Sequence, residues 1–438
     1  MENHCALAGI CGGCAYTGMD YEAQLRKKDE HVRNLLSGAV RGELPYEGIL
    51  RSPLAFAYRN KMEYSFGDEK KDGPLTLGLH KRRSFYDVVN ADCCLLTHED
   101  FNVIVRETRR FFDELGVTYQ DKRTHLGFLR HLIIRRAVNT GELLLDLVTT
   151  TQPIIPVMSH RLINDPVLYE KEAMEAGAVQ ASTAVNVYDT KEIIDEWAAC
   201  IRRLKAEGRI EGELCGILHT VNDSKADAVK NEGTRVVDGT DSITESILDL
   251  RFRITPFSFF QTNSRGAEVL YQKARDYVAD SLTKESTVYD LYCGTGTIAQ
   301  VLAPCVHAVI GVEIVPEAVE AAKENAEKNG LSNCRFLAGD VFAVLDTIEE
   351  KPDVIILDPP RDGIHPKALP KILSYGVDTI IYISCKCESL ARDLVPMQAA
   401  GYQVVKACAV DQFPWTKNTE CCVKLKLIGL QGGTGISE

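Results

Sequence analysis

The pattern of apolar and polar positions changes along the chain and divides it into regions. Residues 21–36 repeat apolar side chains every three or four positions, with Lys and Arg on the opposite side, which predicts an amphipathic helix. Alternating, aromatic-rich segments follow at 51–68 and 76–89, with a KKDGP turn between them. They predict strands of an antiparallel sheet.

The middle of the chain predicts a further mixture of strands and helices. Residues 128–150 form two apolar runs around an NTG reversal, which predicts a strand pair. We expect one or more amphipathic helices within 155–215, including 190–206, and a strand at 215–223. This part carries no nucleotide fingerprint, so we interpret it as a substrate platform.

Near residue 250 the pattern changes to strands alternating with helices, which is typical of a parallel α/β sheet. Ser264 is a plausible N-cap for the first of these helices. We therefore predict a cysteine-rich region with β strands at 1–100, an α+β central region at 101–250 and a Rossmann-like α/β domain at 251–438.

Length and composition fit a protein with two or three domains and ordinary cores. The chain has 438 residues, of which 45% are hydrophobic and 26% charged, and its net charge is -12. Because the whole chain is negatively charged, a nucleic-acid partner would have to be bound by local basic patches that overcome this repulsion. Since no apolar run reaches about 20 residues and no signal peptide is visible, we expect a cytoplasmic protein without membrane contact.

Three of the fifteen cysteines are grouped within a glycine-rich turn. Cys5, Cys11 and Cys14 have C-x5-C-x2-C spacing, and Cys93 or Cys94 could supply a fourth thiolate. Three near ligands with one distant ligand suit a [4Fe-4S] cluster or a structural zinc. Buried, unligated thiols are the simpler alternative.

Three successive strand ends carry the residue types of a nucleotide-containing ligand site. Gly294 and Gly296 let the backbone pass close to a ligand, and Glu313 and Asp340 end the next two strands, where they could contact ribose and adenine. This is the layout of an S-adenosylmethionine site. A dinucleotide would prefer a third glycine where Ala299 stands, although alanine is also allowed there.

A second pair of strand ends could hold a flat ring. The strand before Asp358 ends in Asp-Pro-Pro, and the next strand ends at Cys385. Basic and aromatic side chains suited to RNA are interleaved elsewhere, although a solvated sheet face gives the same pattern. They are Tyr58, Arg59, Lys61, His80, Lys81, Arg82 and Arg83.

Eight segments in order give the chain a family resemblance. They are CGGCAY with YEAQLRKK, FLRHLIIR, FSFFQTN, DLYCGTGTIA, GVEIVPEAVEAAKENA, LDPPRDGIHP, YISCKCESLARDL and FPWTKNTE. The chain resembles the RNA 5-methyluridine methyltransferases, class I enzymes that methylate C5 of uridines in ribosomal or transfer RNA, some with a [4Fe-4S] cluster. The small N-terminal β-barrel of many relatives is not seen, so we expect the central region to bind RNA.

The resemblance implies a role for each matching residue. Cys385 would be the nucleophile and Glu420 the general base. The methyl donor would be bound by Gln261, Tyr292, Thr297, Glu313, Asp340 and Asp358. The cluster would be held by Cys5, Cys11, Cys14 and Cys93, with Cys93 preferred because the family cysteine precedes one residue and a leucine pair. Ribosomal RNA is favoured over transfer RNA as substrate, and a monomer is expected.

The chemistry explains these residue types. C5 of uracil is a poor nucleophile, so a thiolate must first add at C6, and a carboxylate must later remove the C5 proton. The chain departs from the family pattern at four positions. Lys386 and Cys387 follow the nucleophile, Asn418 lies two residues before the base, and Thr297 lies in the donor site. Cys387 suggests a Cys385–Cys387 disulfide under oxidation. The rival functions are methylation of amino groups on nucleic acid or protein, and non-catalytic RNA binding or redox sensing.

Overall fold

The computed structural model describes residues 5–71, 73–152, 154 and 189–428. The helices in this part of the chain are α1 (Tyr21–Ala39), α2 (Glu99–Glu114), α3 (Thr190–Ala206), α4 (Ser264–Val278), α5 (Thr297–Leu302), α6 (Pro316–Lys328), α7 (Val341–Val344), α8 (Ala368–Ser374) and α9 (Cys387–Ala399).

The strands fall into two larger sheets, apart from the pair β9 and β10, where the chain passes between its two units. They are β1 (Tyr46–Leu50), β2 (Lys61–Gly67), β3 (Thr76–His80), β4 (Val88–Asn90), β5 (Leu129–Arg136), β6 (Glu142–Thr149), β7 (Glu213–Val221), β8 (Thr234–Gly239), β9 (Ile243–Ile247), β10 (Leu250–Ile254), β11 (Thr287–Leu291), β12 (Ala308–Glu313), β13 (Cys334–Ala338), β14 (Val354–Leu357), β15 (Thr379–Ser384), β16 (Tyr402–Val410) and β17 (Glu420–Leu427).

The first unit comprises Met1–Gly18, Phe56–Glu245 and Ile254–Phe257. Its sheet has the order β4-β3-β2-β5-β6-β7-β8 and is antiparallel except for the β6–β7 pair. Helices α2 and α3 cover an apolar core with Trp197 at its centre, whose indole Nε1 donates to Thr108 Oγ1 at 3.1 Å. The predicted antiparallel strands at 51–89 and the strand pair at 128–150 are confirmed.

The second unit comprises Met19–Ala55, Ser246–Arg253 and Ser258–Glu438. Its sheet has the order β1-β16-β17-β15-β14-β11-β12-β13, and only β17 runs against the others. The chain order reverses between β11 and β14, which is where open α/β sheets bind ligands at their carboxyl edge. The predicted Rossmann-like α/β fold of this region is confirmed.

The structure differs from the expected boundaries in three respects. One sheet spans the predicted division at residue 100, because β5 pairs with β2. Residues 19–55 belong to the second unit, because β1 pairs with β16. The N-cap of α4 is Asn263 rather than Ser264, since the Asn263 carboxamide accepts the Gly266 N–H at 2.9 Å.

Within the central region, α3 and β7 match the predicted helix and strand, while residues 155–188 lie outside the described part of the chain. A search of the described residues for a helix with the length and hydropathy to cross a membrane finds none.

Candidate active site

The parallel register of the second sheet brings several strand ends to one edge. Leu357 is the partner of both Leu291 on β11 and Tyr382 on β15. The residues that follow these strands therefore leave the sheet side by side. Tyr292 and Asp358 are among them, so two donor-site residues predicted from sequence are neighbours at the edge.

Cys385 and Glu420 face one another across the antiparallel pair β15–β17. The last registered pair is Ser384 with Cys421, so one further step places Cys385 opposite Glu420. Glu420 is also the partner of Val410 on β16 and is only 2% exposed. Residues 35 positions apart in sequence thus meet because the final strand is reversed.

The electrostatics of this pair depend on burial, on Asp358 and on Arg361. Burial and the neighbouring Asp358 raise the pKa of Glu420 to about 8, and Arg361 opposes this shift. Burial, Glu420 and Asp358 also raise the pKa of the Cys385 thiol. The charge of Arg361 and a hydrogen bond from its side chain act in the opposite direction and lower this pKa. Arg361 is therefore the cation that favours both ionised forms.

The glycine turn after β11 is shaped by Glu313. The Glu313 carboxylate accepts the Gly294 N–H and the Val315 N–H, each at 3.0 Å. Gly296 has a φ of 71°, and a Cβ there would lie 2.5 Å from the Phe336 ring. Only glycine therefore fits this position.

Buried carboxyl groups lie beneath the turn. Asp290 on β11 accepts the Ala299 N–H at 2.8 Å, and burial, Asp358 and Glu313 raise its pKa to about 8. Burial and Glu313 likewise raise the pKa of Asp358 to about 7. Since each carboxyl is affected by another, Asp290, Glu313 and Asp358 form one cluster.

The remaining predicted donor residues border this cluster. Tyr292 has a φ of 67°, and burial and the charge of Asp340 raise its pKa to about 12. Asp340 is exposed and caps α7 by accepting the Phe342 N–H at 3.0 Å. Thr297 is buried at the start of α5. Gln261 hydrogen-bonds to Tyr271, whose pKa is raised by burial and by Asp358.

A loop that we call the base loop, residues 411–419, leads into Glu420 and is held by α1. Lys28 Nζ donates to Asp411 Oδ1 at 2.6 Å and to the carbonyl oxygens of Phe413 at 2.9 Å and Asn418 at 3.0 Å. The Gln24 side chain accepts the Trp415 N–H at 2.9 Å. The sequence pattern places the basic residues of this helix on the side opposite its apolar residues and assigns no contact to Lys28.

The turn after Asp358 is held by α9. Asp393 Oδ2 accepts the Ile364 N–H at 2.8 Å and the Tyr382 hydroxyl at 2.7 Å. Arg392 donates to the Asp362 carbonyl at 2.6 Å. Sequence reasoning assigned no role to Asp393, although the ARDL segment carrying it was part of the resemblance.

The cysteines beside the site are arranged differently from the disulfide hypothesis. The sulfur atoms of Cys387 and Cys421 are joined, with a Cα–Cα distance of 6.3 Å, whereas Cys385 is free. Cys387 begins α9 and Cys421 follows Glu420 on β17, and their side chains meet between these two elements. The Cys385–Cys387 hypothesis is therefore wrong for this structure.

The cysteine-rich turn lies in the first unit. Burial raises the pKa of Cys11, and the charges of Cys94 and Cys5 add to this shift. Burial, with the charges of Cys94 and Cys11, raises the pKa of Cys14 to about 12. These thiols are therefore neighbours, together with Cys93, whose pKa is raised by burial and by Cys5. Among the described residues no group of three or more side chains is arranged as a metal site.

Several known proteins are similar to this chain in sequence or in fold. The family model described as tRNA (uracil-5-)-methyltransferase matches residues 168–428. An uncharacterized RNA methyltransferase of Clostridium tetani is 40% identical over 97% of this chain and 84% of its own length, and one of Clostridium acetobutylicum is 42% identical over 96% and 83%.

A solved structure, the Pyrococcus abyssi tRNA (uracil-54, C5)-methyltransferase in complex with S-adenosyl-L-homocysteine, has a TM-score of 0.67. It is 24% identical in sequence and covers 94% of this chain and 85% of its own, which supports the fold. On the family match and the two relatives together, this chain is an RNA methyltransferase that belongs to the tRNA (uracil-5-)-methyltransferase family.

Proposed function

We propose that this protein transfers a methyl group from S-adenosylmethionine to C5 of a uridine in RNA, through a covalent bond between Cys385 and C6 of the ring. The observation that carries the proposal is the opposition of Cys385 and Glu420 at the sheet edge, with Asp358 and Arg361 beside both. A thiolate and a carboxylate facing one another can attack and deprotonate the two ends of one double bond.

Each residue has one task in this scheme. Cys385 gives its proton to solvent, and the thiolate bonds to C6 while the electron pair of the C5–C6 double bond moves towards C5. C5 then bonds to the methyl carbon as the bond between that carbon and the donor sulfur breaks, with its electron pair left on sulfur. Glu420 then accepts the C5 proton, and the C6–S bond breaks as the double bond re-forms. Arg361 favours the thiolate and the carboxylate that these two steps require.

The donor half of the site fits S-adenosylmethionine, which when bound supplies a methyl group on a sulfonium. A Cβ at Gly294 would meet only Phe259, at 3.8 Å, so the turn leaves room for a ligand close to the backbone. Each Glu313 oxygen accepts one N–H and keeps a second lone pair for a ribose hydroxyl. The proposed donor contacts are Gln261, Tyr292, Thr297, Glu313, Asp340 and Asp358.

We also propose that Cys5, Cys11, Cys14 and Cys93 hold a [4Fe-4S] cluster, with zinc as the alternative and Cys94 as the alternative fourth ligand. The support is chemical: the thiols of the glycine-rich turn and those of Cys93 and Cys94, which follow β4, are near enough to affect one another's pKa values. Iron and sulfide analysis of anaerobically purified protein, with Cys93→Ser and Cys94→Ser compared, decides between these options.

Trapping with RNA that contains 5-fluorouridine tests the covalent scheme. Fluorine cannot leave C5 as a proton does, so a protein–RNA adduct that survives denaturation should accumulate and should be absent with Cys385→Ala. Methylation of amino groups needs no such thiol, and a non-catalytic relative would give neither adduct nor product. Continued uridine methylation by Cys385→Ala would contradict the scheme.

The substrate is proposed to be ribosomal RNA ahead of transfer RNA. Nucleoside mass spectrometry of both RNA classes from a deletion strain, followed by site mapping, would identify the class that loses 5-methyluridine and the number of positions. A monomeric state and a cytoplasmic location stay predictions.

A further inference from the structure

Two adjacent aromatic rings lie exposed on the first unit. Phe85 is 59% exposed and Tyr86 46% exposed, and their ring centroids are 5.4 Å apart at an interplanar angle of 90°. Most other aromatic side chains of this unit, such as Phe66, Phe112 and Trp197, are in its core. A pair of exposed rings is unfavourable in water unless a ligand covers it.

Each ring has a cation beside it. Lys122 Nζ lies 4.8 Å from the centroid of Phe85, and the Arg123 guanidinium lies 4.4 Å from that of Tyr86. His80 is nearly parallel to Phe85, with centroids 6.2 Å apart. Rings paired with cations in this way offer stacking faces that suit electron-rich bases and anionic backbones.

The turn that presents the rings is held in place by hydrogen bonds. Lys81 N–H donates to the Asp87 carbonyl at 2.9 Å, and Lys122 Nζ donates to the Phe85 carbonyl at 3.2 Å. Arg82 N–H donates to the Ile10 carbonyl at 2.7 Å. Because the turn is fixed before binding, little conformational entropy would be lost when a ligand stacks on it.

The arginines around the rings carry a charge opposite to that of the whole chain, whereas Lys122 is paired with Asp227 at 2.6 Å. Arg82 and Arg83 precede the rings and are exposed, while the net charge is -12. Within the described ranges, neither Arg83 nor Arg123 lies within ion-pair distance of a carboxylate. Unneutralised guanidinium groups beside open rings complement phosphates and bases, whereas an apolar protein partner would not require them.

We propose that Phe85 and Tyr86, with Arg82, Arg83, Lys122 and Arg123, form an aromatic platform that binds unpaired bases of the substrate RNA. The bases stack on the two rings, and the arginines contact the neighbouring phosphates. The proposal rests on the proposed function in that it takes RNA to be the substrate. It adds Phe85 and Tyr86 to the basic and aromatic residues that the sequence pattern suggested for RNA contact.

Fluorescence anisotropy with two defined probes tests the platform: a labelled 20-nucleotide oligouridylate and a labelled 20-base-pair RNA duplex. Phe85→Ala/Tyr86→Ala should weaken binding of the single strand by about tenfold or more, since stacking of each base contributes strongly, and should change duplex binding little. Val236→Ala, which removes an exposed apolar side chain of the same unit, should leave both affinities unchanged.

A salt titration separates stacking from charge. Arg83→Ala/Arg123→Ala should reduce the slope of log K against log salt by about 1.4 for the single strand, because each lost phosphate contact removes about 0.7. Phe85→Ala/Tyr86→Ala should keep the wild-type slope. Arg202→Ala, at an exposed arginine paired with Asp238, is the control for a general loss of charge.

The results of these binding experiments can be distinguished from a failure of the proposed uridine methylation. Equal single-strand affinity of Phe85→Ala/Tyr86→Ala and wild type would overturn the platform, as would equal weakening for strand and duplex. Unchanged RNA binding with loss of a co-purifying protein would assign the rings to a protein partner and overturn it too. Loss of single-strand binding in a folded variant that still binds S-adenosylmethionine supports it, whatever the result of 5-fluorouridine trapping with Cys385.

Discussion

Lys28 and Asp411 form a buried ion pair, with 2.6 Å between Nζ and Oδ1 and side-chain exposures of 1% and 0%. The Asp411 carboxylate and the carbonyl oxygens of Phe413 and Asn418 together accept all three N–H donors of the Lys28 ammonium group. The pair joins helix α1 to the base loop, which leads directly into Glu420. Lys28 is therefore a positioning residue for the proposed base.

Lys28→Met should lower the free energy of unfolding by about 3–5 kcal/mol, because it leaves the Asp411 carboxylate buried without its cation. Arg26→Met, at an exposed position of the same helix, should change it by less than about 0.5 kcal/mol. Urea unfolding of both variants checks this.

Lys28→Met/Asp411→Leu removes both charges and should recover much of that stability. Its base loop nevertheless lacks the anchors, so its kcat should fall while its affinity for S-adenosylmethionine stays unchanged. A double variant with wild-type kcat would show that Lys28 contributes to stability alone.

Arg361 should set the pH dependence of methyl transfer. Glu420, with a pKa of about 8, accepts a proton only in its ionised form, and the Cys385 thiol must also ionise. The rate should therefore rise through pH 8 as Glu420 ionises and should continue to rise at higher pH, because the pKa of the thiol is raised above its ordinary value. Arg361→Gln removes the charge that lowers both pKa values, which should move this rise to higher pH. Each unit by which one of the two pKa values rises reduces the rate about tenfold at pH 7.

Single-turnover rates from pH 6.5 to 10 check this prediction, and Arg361→Lys is the control that keeps the charge. The rates of wild type and Arg361→Gln should converge at high pH. If Arg361→Gln lowers the rate equally at every pH, the arginine acts through RNA contact instead of through the two ionisations.

Glu420→Gln should stabilise the protein at alkaline pH. A carboxyl whose pKa is raised to about 8 on folding contributes stability below its unfolded pKa of about 4.3, and this contribution is lost as pH rises through 8. Glutamine cannot ionise, so Tm should fall less between pH 6 and 9 in the variant. The difference should be at least about 2–4 °C, which corresponds to about 1 kcal/mol.

Thermal melts of wild type, Glu420→Gln and Glu349→Gln, the last at an exposed glutamate, provide this comparison. An identical fall of Tm in all three would mean that Glu420 is not buried as the structure describes.

Gly296→Ala should destabilise the turn by more than the cost of a left-handed backbone at residue 296. Gly330 has a similar φ, 69° against 71°, but nothing lies within 4 Å of a Cβ placed there. Gly330→Ala should therefore cost only the left-handed conformation, about 1–2 kcal/mol, whereas Gly296→Ala also clashes with Phe336.

Calorimetric titration with S-adenosylmethionine should show weaker binding for Gly296→Ala than for Gly330→Ala. Adding Phe336→Leu should restore part of the affinity. Equal effects of the two alanine substitutions would remove the steric explanation.

Peptide mapping without reductant should link Cys387 to Cys421 in oxidised protein and leave Cys385 open to iodoacetamide. The buried partners lie at the start of α9 and on β17, and their Cα atoms are 6.3 Å apart, within the range that a disulfide spans. A cross-linked peptide containing Cys385 would contradict the arrangement.

Local patterns predicted most elements of both units. The period of apolar residues identified α1, α3 and the β5–β6 pair, and the residues at successive strand ends identified the edge where Glu313 and Asp358 meet. Each of these depends on neighbours in sequence or on the general behaviour of parallel sheets.

Pairings between distant segments could not be predicted in this way. A lysine in an amphipathic helix is normally solvated, so only the tertiary structure shows that Lys28 is buried against Asp411, 383 residues away. The attachment of β1 to β16 likewise needs the register, since an edge strand of five residues has little periodicity of its own.

The reversed direction of β17 allows the target-nucleotide side of the site to change in evolution without changing the methyl-donor side. Because this strand begins where its neighbours end, Glu420 reaches the carboxyl edge through the connection from Val410 and not through the turns that follow β11 and β12. Much of that connection is held by α1 and by a hydrogen bond to Gln261, whereas Lys417 and Asn418 are exposed. An evolving enzyme could therefore retune the fit of the target nucleotide at these two positions while the turns around Glu313 keep their shape.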